Sequence, residues 1–128
     1  MNPFQHVQRW PAAVPQLHDY LHATAARLPD KVALVCDGQR LTYAELERSS
    51  NALAHALVRR GVARGDRVVI YADNTVQTVI AFWGVLKANA VTAIVTSQVK
   101  AEKLASLLND CRPTALVTDT RHTATFAA

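Results

Sequence analysis

Nowhere in the 128 residues do ~18 consecutive apolar side chains occur, so no membrane span is expected. The opening Met1-Asn2-Pro3-Phe4 has neither a basic stretch nor an apolar core, so no secretory signal is expected either. Cysteine is scarce. Cys36 and Cys111 stand far apart, without metal or redox spacing, and a cytoplasm that keeps both thiols reduced is the simplest reading. Only four glycines are present, Gly38, Gly61, Gly65 and Gly84, and no two lie close enough to cradle a phosphate. Charge of one sign is nearly absent as a block: the net charge is +4, and the one dense patch is Arg59, Arg60, Arg64 and Arg67. Asp66 interrupts that patch and no aromatic is interleaved with it. It reads as a helix end whose cations suit the macrodipole, not as a nucleic-acid surface.

Half of the residues are apolar and 19% are charged, the balance of a folded domain rather than a disordered chain. A single domain of this length buries roughly two-thirds of its unfolded surface. Residues 1–16 hold Pro3, Pro11 and Pro15 and read as an extended arm, with Phe4 and Trp10 as anchors. Leu17, Leu21, Ala25 and Leu28 form one helical stripe, ended by Pro29-Asp30. Val32–Cys36 and Gln39–Thr42 read as a hairpin about Asp37-Gly38. Thr42 and Glu45 have capping-box spacing and start a helix over Tyr43–Arg60, with Leu46, Leu53, Ala54, Leu57 and Val58 inward and Gly61 closing it.

Arg67–Ala72 carries Val68-Val69-Ile70, a strand covered on both faces. Asn74, with Gln77 three residues on, offers a second capping box for a helix over Thr75–Ala88, so apolar that it must be buried on more than one side. A strand over Ala90–Val95, an amphipathic helix over Lys100–Cys111 (Leu104, Leu107, Leu108) and a strand over Ala115–Thr118 follow. Pro113 breaks the last helix. This alternation predicts α/β: an antiparallel hairpin, then βαβαβ units forming a mostly parallel sheet. Residues 120–128 show no pattern and read as a tail, frayed from His122.

Several residues invite a chemical role. His18 and His22 are four apart on a helix, but no third ligand accompanies them, so an exposed polar face is the simpler reading. Asp66 and Asp73 lie at opposite ends of a strand, ~20 Å apart and too far for acid–base partners. Asp66 reads as a turn residue and Asp73 as part of a strand-to-helix junction. Asn74, at the carboxyl edge of a parallel strand, is the nearest approach to a site residue, though its capping role is the simpler one. Lys87 sits on the apolar side of its helix and reads as structural, reaching to water or the last carbonyls. Cys36 reads as a buried, inert thiol.

The order of Pro29-Asp30-Lys31-Val32-Ala33-Leu34-Val35, Leu41-Thr42-Tyr43-Ala44-Glu45-Leu46, Asn51-Ala52-Leu53-Ala54, Arg64-Gly65-Asp66-Arg67-Val68, Ala72-Asp73-Asn74 and Phe82-Trp83-Gly84-Val85-Leu86-Lys87-Ala88 is informative as a set. It resembles the amino-terminal part of the adenylate-forming (AMP-binding) enzymes, the acyl-CoA synthetases and peptide-synthetase adenylation domains. The likeness covers roughly residues 17–119. Lys100-Ala101-Glu102-Lys103 and Leu108-Asn109-Asp110-Cys111 look more like acyl-CoA ligases. Where the family has Gly after Leu86-Lys87-Ala88, this chain has Asn89, and the prolines that usually end the next strand are replaced near Ile94, Thr96 and Ser97. Asn tolerates the left-handed conformation that Gly would supply.

The resemblance implies the amino-terminal subdomain of an acyl-CoA synthetase-like fold, incomplete at 17–119. For the intact enzyme it implies ATP, Mg and coenzyme A: a carboxylate is activated as an acyl-adenylate, then passed to a thiol. The family's phosphate loop, ribose-binding acidic motif, hinge and catalytic Lys have no counterpart here. The expectation is therefore a chain without catalytic, cofactor-binding or metal residues, inactive alone, whose partner is the ligase remainder or another copy through apolar surface. The alternative is a stand-alone interaction module or oligomerising half-domain, suggested by the broad apolar helix over Thr75–Ala88. An independent Rossmann-like nucleotide binder lacks its Gly-rich turn and ranks last.

Overall fold

Local capping chemistry fixes where the elements begin and end. The computed structural model describes residues 15–126, so the expected arm lies, apart from Pro15 and Gln16, outside the described residues. Helix α1 spans Leu17–Arg27. Strands β1 (Val32–Cys36) and β2 (Gln39–Thr42) pair antiparallel, with a register shift between Val32 and Leu34. Their turn residues Asp37 and Gly38 have φ of 48° and 77°, the left-handed pair that a tight hairpin needs.

Helix α2 (Tyr43–Arg59) starts on the expected capping box. The Thr42 amide donates to the Glu45 carboxylate at 2.8 Å, and the Glu45 amide donates to the Thr42 hydroxyl at 3.2 Å. The first of these bonds holds the Glu45 carboxyl below the usual carboxylate range. Thr42→Ala should lower stability by about 1 kcal/mol in urea unfolding, with Thr42→Ser retaining most of it.

The far end of α2 is equally specified. The Gly61 amide reaches the Val58 carbonyl and the Val62 amide reaches the Leu57 carbonyl, with Gly61 at φ 93°. Val62 is buried in the same cluster as Leu57, which completes a Schellman closure. Helix α3 (Val76–Lys87) ends the same way through Asn89, at φ 58°, as its amide bonds Leu86 and the Ala90 amide bonds Val85. Asn89 thus takes over the conformation that Gly would provide.

Strands β3 (Arg67–Ala72), β4 (Val91–Thr96) and β5 (Ala115–Thr118) form a three-stranded, wholly parallel sheet in the order β4-β3-β5. The hairpin forms its own two-stranded sheet. Central β3 buries Val68, Val69, Ile70 and Tyr71 almost completely, as its unbroken apolar run predicts. The core gathers Leu57, Val62, Val68, Ile70, Ala81 and Val85. Only Gln77 of α3 is exposed, so the broad apolar girth of that helix is covered within the chain. Its partner surfaces are α1, α2, β1, β3 and β4.

Several expectations are corrected. The N-cap of α3 is Thr75, not Asn74: its hydroxyl accepts from the Thr78 amide at 3.2 Å, so the helix begins one residue later. Val58 is exposed because it lies one residue, about 100° of helix, beyond the stripe of Leu46, Ser50, Ala54 and Leu57. Leu17, the first residue of α1, is exposed as well. In helix α4 (Ala101–Cys111) only Leu104 is buried; Leu107 faces solvent. The described part of the tail carries elements the sequence did not suggest: a 3-10 turn over Thr120–His122 and helix α5 over Thr123–Phe126 follow β5. Their signal was aromatic rather than periodic, since His122 and Phe126 meet Tyr71 edge-on at ring separations of 5.3 and 5.4 Å.

Candidate functional site

Open parallel sheets bind ligands beyond the carboxyl ends of their strands. Here that edge brings together Asp73 after β3, Ser97 after β4 and Asp119 after β5. Ser97 donates its hydroxyl to Asp73. The Tyr71 hydroxyl contacts the carbonyls of Ser97 (2.8 Å) and Val99 (3.1 Å), and the Thr118 hydroxyl donates to the Tyr71 carbonyl at 2.7 Å. All three strand ends are thereby laced together.

Arg121 crosses the edge. Its guanidinium bonds both oxygens of Asp119, at 3.3 and 2.7 Å, and lies 3.4 Å from Asp73. Hydrogen bonds from Arg121 hold the Asp119 carboxyl below its ordinary range, and Asp119 in turn raises the Arg121 guanidinium. The Nε2 of His122 sits 3.6 Å from Asp73 and 3.8 Å from Asp119. Asp73, Asp119 and His122 each bring one ligand-type atom to within 4.8 Å of the others, and the Arg121 cation already answers both carboxylates. Within this set the Arg121 cation offsets the two carboxylates.

The cavity between β3, β5 and α3, lined by Ile70, Thr78, Ala81, Val117 and Asp119 among others, measures about 60 Å3. Ligand pockets usually need ~300–1,000 Å3. Larger surface grooves of about 380 and 490 Å3 lie elsewhere, one between α1 and α2 and one among the hairpin, α2 and α3.

The residues weighed from sequence fall in separate places. Asp66 accepts from the Ala63 amide at 2.8 Å, as a turn residue should. Asp73 lies at the opposite end of β3 from it. Asn74 is exposed and does not cap α3; its carbonyl lies 3.5 Å from the Cys36 thiol, which is itself half-buried rather than enclosed. His18 and His22 do not converge. His18 is largely buried beside Asp19, whereas His22 is exposed and meets Glu47 at 2.8 Å. Lys87 does not reach water or the helix-end carbonyls. It is buried on Glu47 at 2.5 Å and Asn51 at 2.8 Å, so α1, α2 and α3 are joined through Glu47. Sequence reasoning passed over Asp119, Arg121 and His122. The signal available was position: Asp119 directly follows a parallel strand, on the same sheet edge as Asp73.

The profile of the AMP-binding enzymes matches residues 21–128. The chain belongs to the AMP-binding enzyme family. This family member is 42% identical over 96 residues to a Mycobacterium marinum medium/long-chain-fatty-acid–CoA/3-oxocholest-4-en-26-oate–CoA ligase. That alignment takes in 75% of this chain and 17% of the ligase. It is also 35% identical over 103 residues to malpinin synthetase of Mortierella alpina, covering 80% of this chain and 1% of that protein. Among solved structures it is similar to a putative long-chain-fatty-acid CoA ligase from Rhodopseudomonas palustris. There the TM-score is 0.82 at 31% identity, over 88% of this chain and 29% of the other. The chain thus spans about a sixth of the length of the mycobacterial ligase. Its fold is that of the amino-terminal subdomains of acyl-CoA ligases and adenylation domains, and no helix among the described residues is long and apolar enough to cross a membrane.

Proposed function

We propose that this chain is the opening α/β layer of an ATP-dependent, AMP-forming acyl-CoA ligase, and that these 128 residues are catalytically silent without the remainder of such an enzyme. The single observation that carries the ligase branch is the 42% identity to the mycobacterial fatty-acid–CoA ligase sustained over 96 residues, where triostin synthetase I matches at 41% over 78 residues and malpinin synthetase at 35% over 103. In the intact enzyme a carboxylate would be activated through an acyl-adenylate and then transferred to coenzyme A, in a reducing cytoplasm.

The groups present do not fit ATP or its Mg ion. A cavity of about 60 Å3 at the carboxyl edge is far smaller than a nucleotide site. The carboxylates there are engaged by Arg121. The glycines with positive φ, Gly38, Gly61 and Gly65, serve turns instead of that edge. No step is therefore assigned to residues of this chain; its part is to supply sheet and helices on which a site is built.

Two measurements test the reading. The purified chain with Mg-ATP and medium- or long-chain fatty acids should release no pyrophosphate above the blank. Calorimetry with ATP should show millimolar or weaker binding. Pyrophosphate release by the chain alone, or micromolar ATP affinity, would refute it.

A further inference from the structure

We propose that the amino edge of the parallel sheet is a peripheral docking surface for an anionic lipid bilayer. Arg59, Arg60, Arg64, Arg67 and Arg112 make it, and all five are exposed. The fold draws them together from separate segments. The Asp66 amide bonds the Ala63 carbonyl at 3.0 Å and the Asp66 carboxylate accepts from the Ala63 amide at 2.8 Å, which closes a turn around Arg64. That turn brings Arg59 and Arg60, at the end of α2, back to Arg67 at the start of β3. The Gly65 amide ties it to the Asn89 carbonyl, beyond α3, at 2.9 Å. The Arg67 guanidinium donates to the Cys111 carbonyl, and the Arg67 carbonyl accepts from the Thr114 amide at 2.8 Å, so Arg112 stands beside it.

Charge on this edge is not answered within the chain. Across 58–67 and 110–114 the five arginines meet two carboxylates, Asp66 and Asp110, so +3 of the net +4 lies here. Among the described residues, none of the five arginines is in an ion pair. The carboxyl ends of α2, α3 and α4 each offset only about half a charge. Nor is this a face that a longer chain must cover. Open parallel sheets assemble ligand sites beyond the carboxyl ends of their strands, so a ligase built on this layer places its site at the opposite edge. Covering unpaired guanidinium groups with protein would also forfeit their hydration.

The apolar neighbours of the arginines select the bilayer. Val58 is 56% exposed and directly precedes Arg59; Val91 is 51% exposed and pairs with Arg67 across β3 and β4. Cations beside protruding aliphatic side chains suit a lipid surface, where the guanidinium groups meet anionic headgroups and the aliphatic groups enter the interface. Single-stranded nucleic acid would call for aromatic side chains on which bases stack, and 58–67, 89–91 and 110–114 hold none.

Co-sedimentation of the 128-residue chain with vesicles tests this. Phosphatidylcholine vesicles with about 30% phosphatidylserine should retain it in about 0.1 M salt and release it in about 0.5 M, whereas phosphatidylcholine alone should not retain it. Each arginine removed should lower the partition coefficient ~5-fold, so Arg59→Gln with Arg64→Gln should cost roughly 25-fold. Lys100→Gln with Lys103→Gln removes the same charge from the amino end of α4, at the opposite edge, and should cost less than about 2-fold. Val58→Ser should weaken retention and keep its salt dependence. Folding of each variant is checked by circular dichroism, and if the arginine pair does not fold, Arg60→Gln, also exposed, replaces it. A wild-type chain indifferent to phosphatidylserine, equal losses from the two double variants, or retention by duplex DNA in place of vesicles would each overturn the proposal. So would displacement by inorganic phosphate beyond that by chloride at equal ionic strength. Vesicle retention needs neither ATP nor acyl substrate, so its outcome is read separately from that of the pyrophosphate test.

Discussion

Glu47→Ala should destabilise the chain by about 3 kcal/mol, the range seen when one member of a largely buried ion pair is removed. The Lys87 side chain is only 8% exposed and its ammonium rests on Glu47, Asn51 and the Glu47 carbonyl. Without Glu47 that charge stays buried, because Asn51 and a carbonyl offer dipoles alone. Glu47→Gln should cost less, since an amide oxygen still accepts from Lys87. His22→Ala should cost little: the imidazole is 75% exposed and its bond to Glu47 is screened by water.

The same pair gives acid sensitivity with a definite sign. Burial pushes the Glu47 carboxyl up, but hydrogen bonds from Lys87 and His22 and the Lys87 charge outweigh that and hold it below its ordinary value of 4.5. A carboxyl depressed in the folded state binds its proton more tightly once unfolded. Its contribution is therefore complete above the unfolded value, and it is lost as pH falls from about 5 through the folded value. Urea midpoints of the wild type should decline over that interval. Those of Glu47→Gln should decline less, and an identical decline in both would show that the pair does not carry the effect.

How much of this was legible in the sequence depended on the range of the interaction. Thr42 with Glu45, Asp37-Gly38 and Gly61 act within four residues of themselves, and each sits where its chemistry predicts. The apolar runs of β3 and β5 gave strand bounds that the structure reproduces, since a continuous run between turn residues leaves little choice of register. Contacts between distant segments left no such trace. Lys87 looked misplaced on an apolar face because its partner Glu47 lies 40 residues earlier. The edge cluster left no local pattern for the same reason, only the position of Asp73 and Asp119 after parallel strands: the two meet only after β3 and β5 pair. Asn74 lost its cap to Thr75 because two adjacent capping residues compete, and only the chain path decides between them.

Gly84 sets local propensity directly against packing. In a helix interior, Gly→Ala gains about 1 kcal/mol from propensity, so the sequence alone predicts a stabilising substitution. The structure predicts the opposite. A Cβ built on Gly84 would stand 2.8 Å from Leu53 Cδ2 and 3.0 Å from both Leu53 Cβ and Cγ. The Cδ2 methyl could rotate away, but Cβ is fixed to the α2 backbone, so relief requires α2 and α3 to separate. These two helices form one of the most extensive contacts in the chain, and Leu53 packs against the core that they share with β3. Gly84→Ala should therefore lose about 1 kcal/mol net, and Gly84→Val about 3 kcal/mol, as the added volume and the β-branch both press on Leu53. The double variant Gly84→Ala with Leu53→Ala discriminates the cause. If the clash is responsible, removing the Leu53 side chain turns the Gly84→Ala step from a loss to a gain, a coupling that urea unfolding of the four-member cycle would resolve. Additive effects within error would instead place the cost of the Ala substitution in the helix itself, contrary to the close approach seen between α2 and α3.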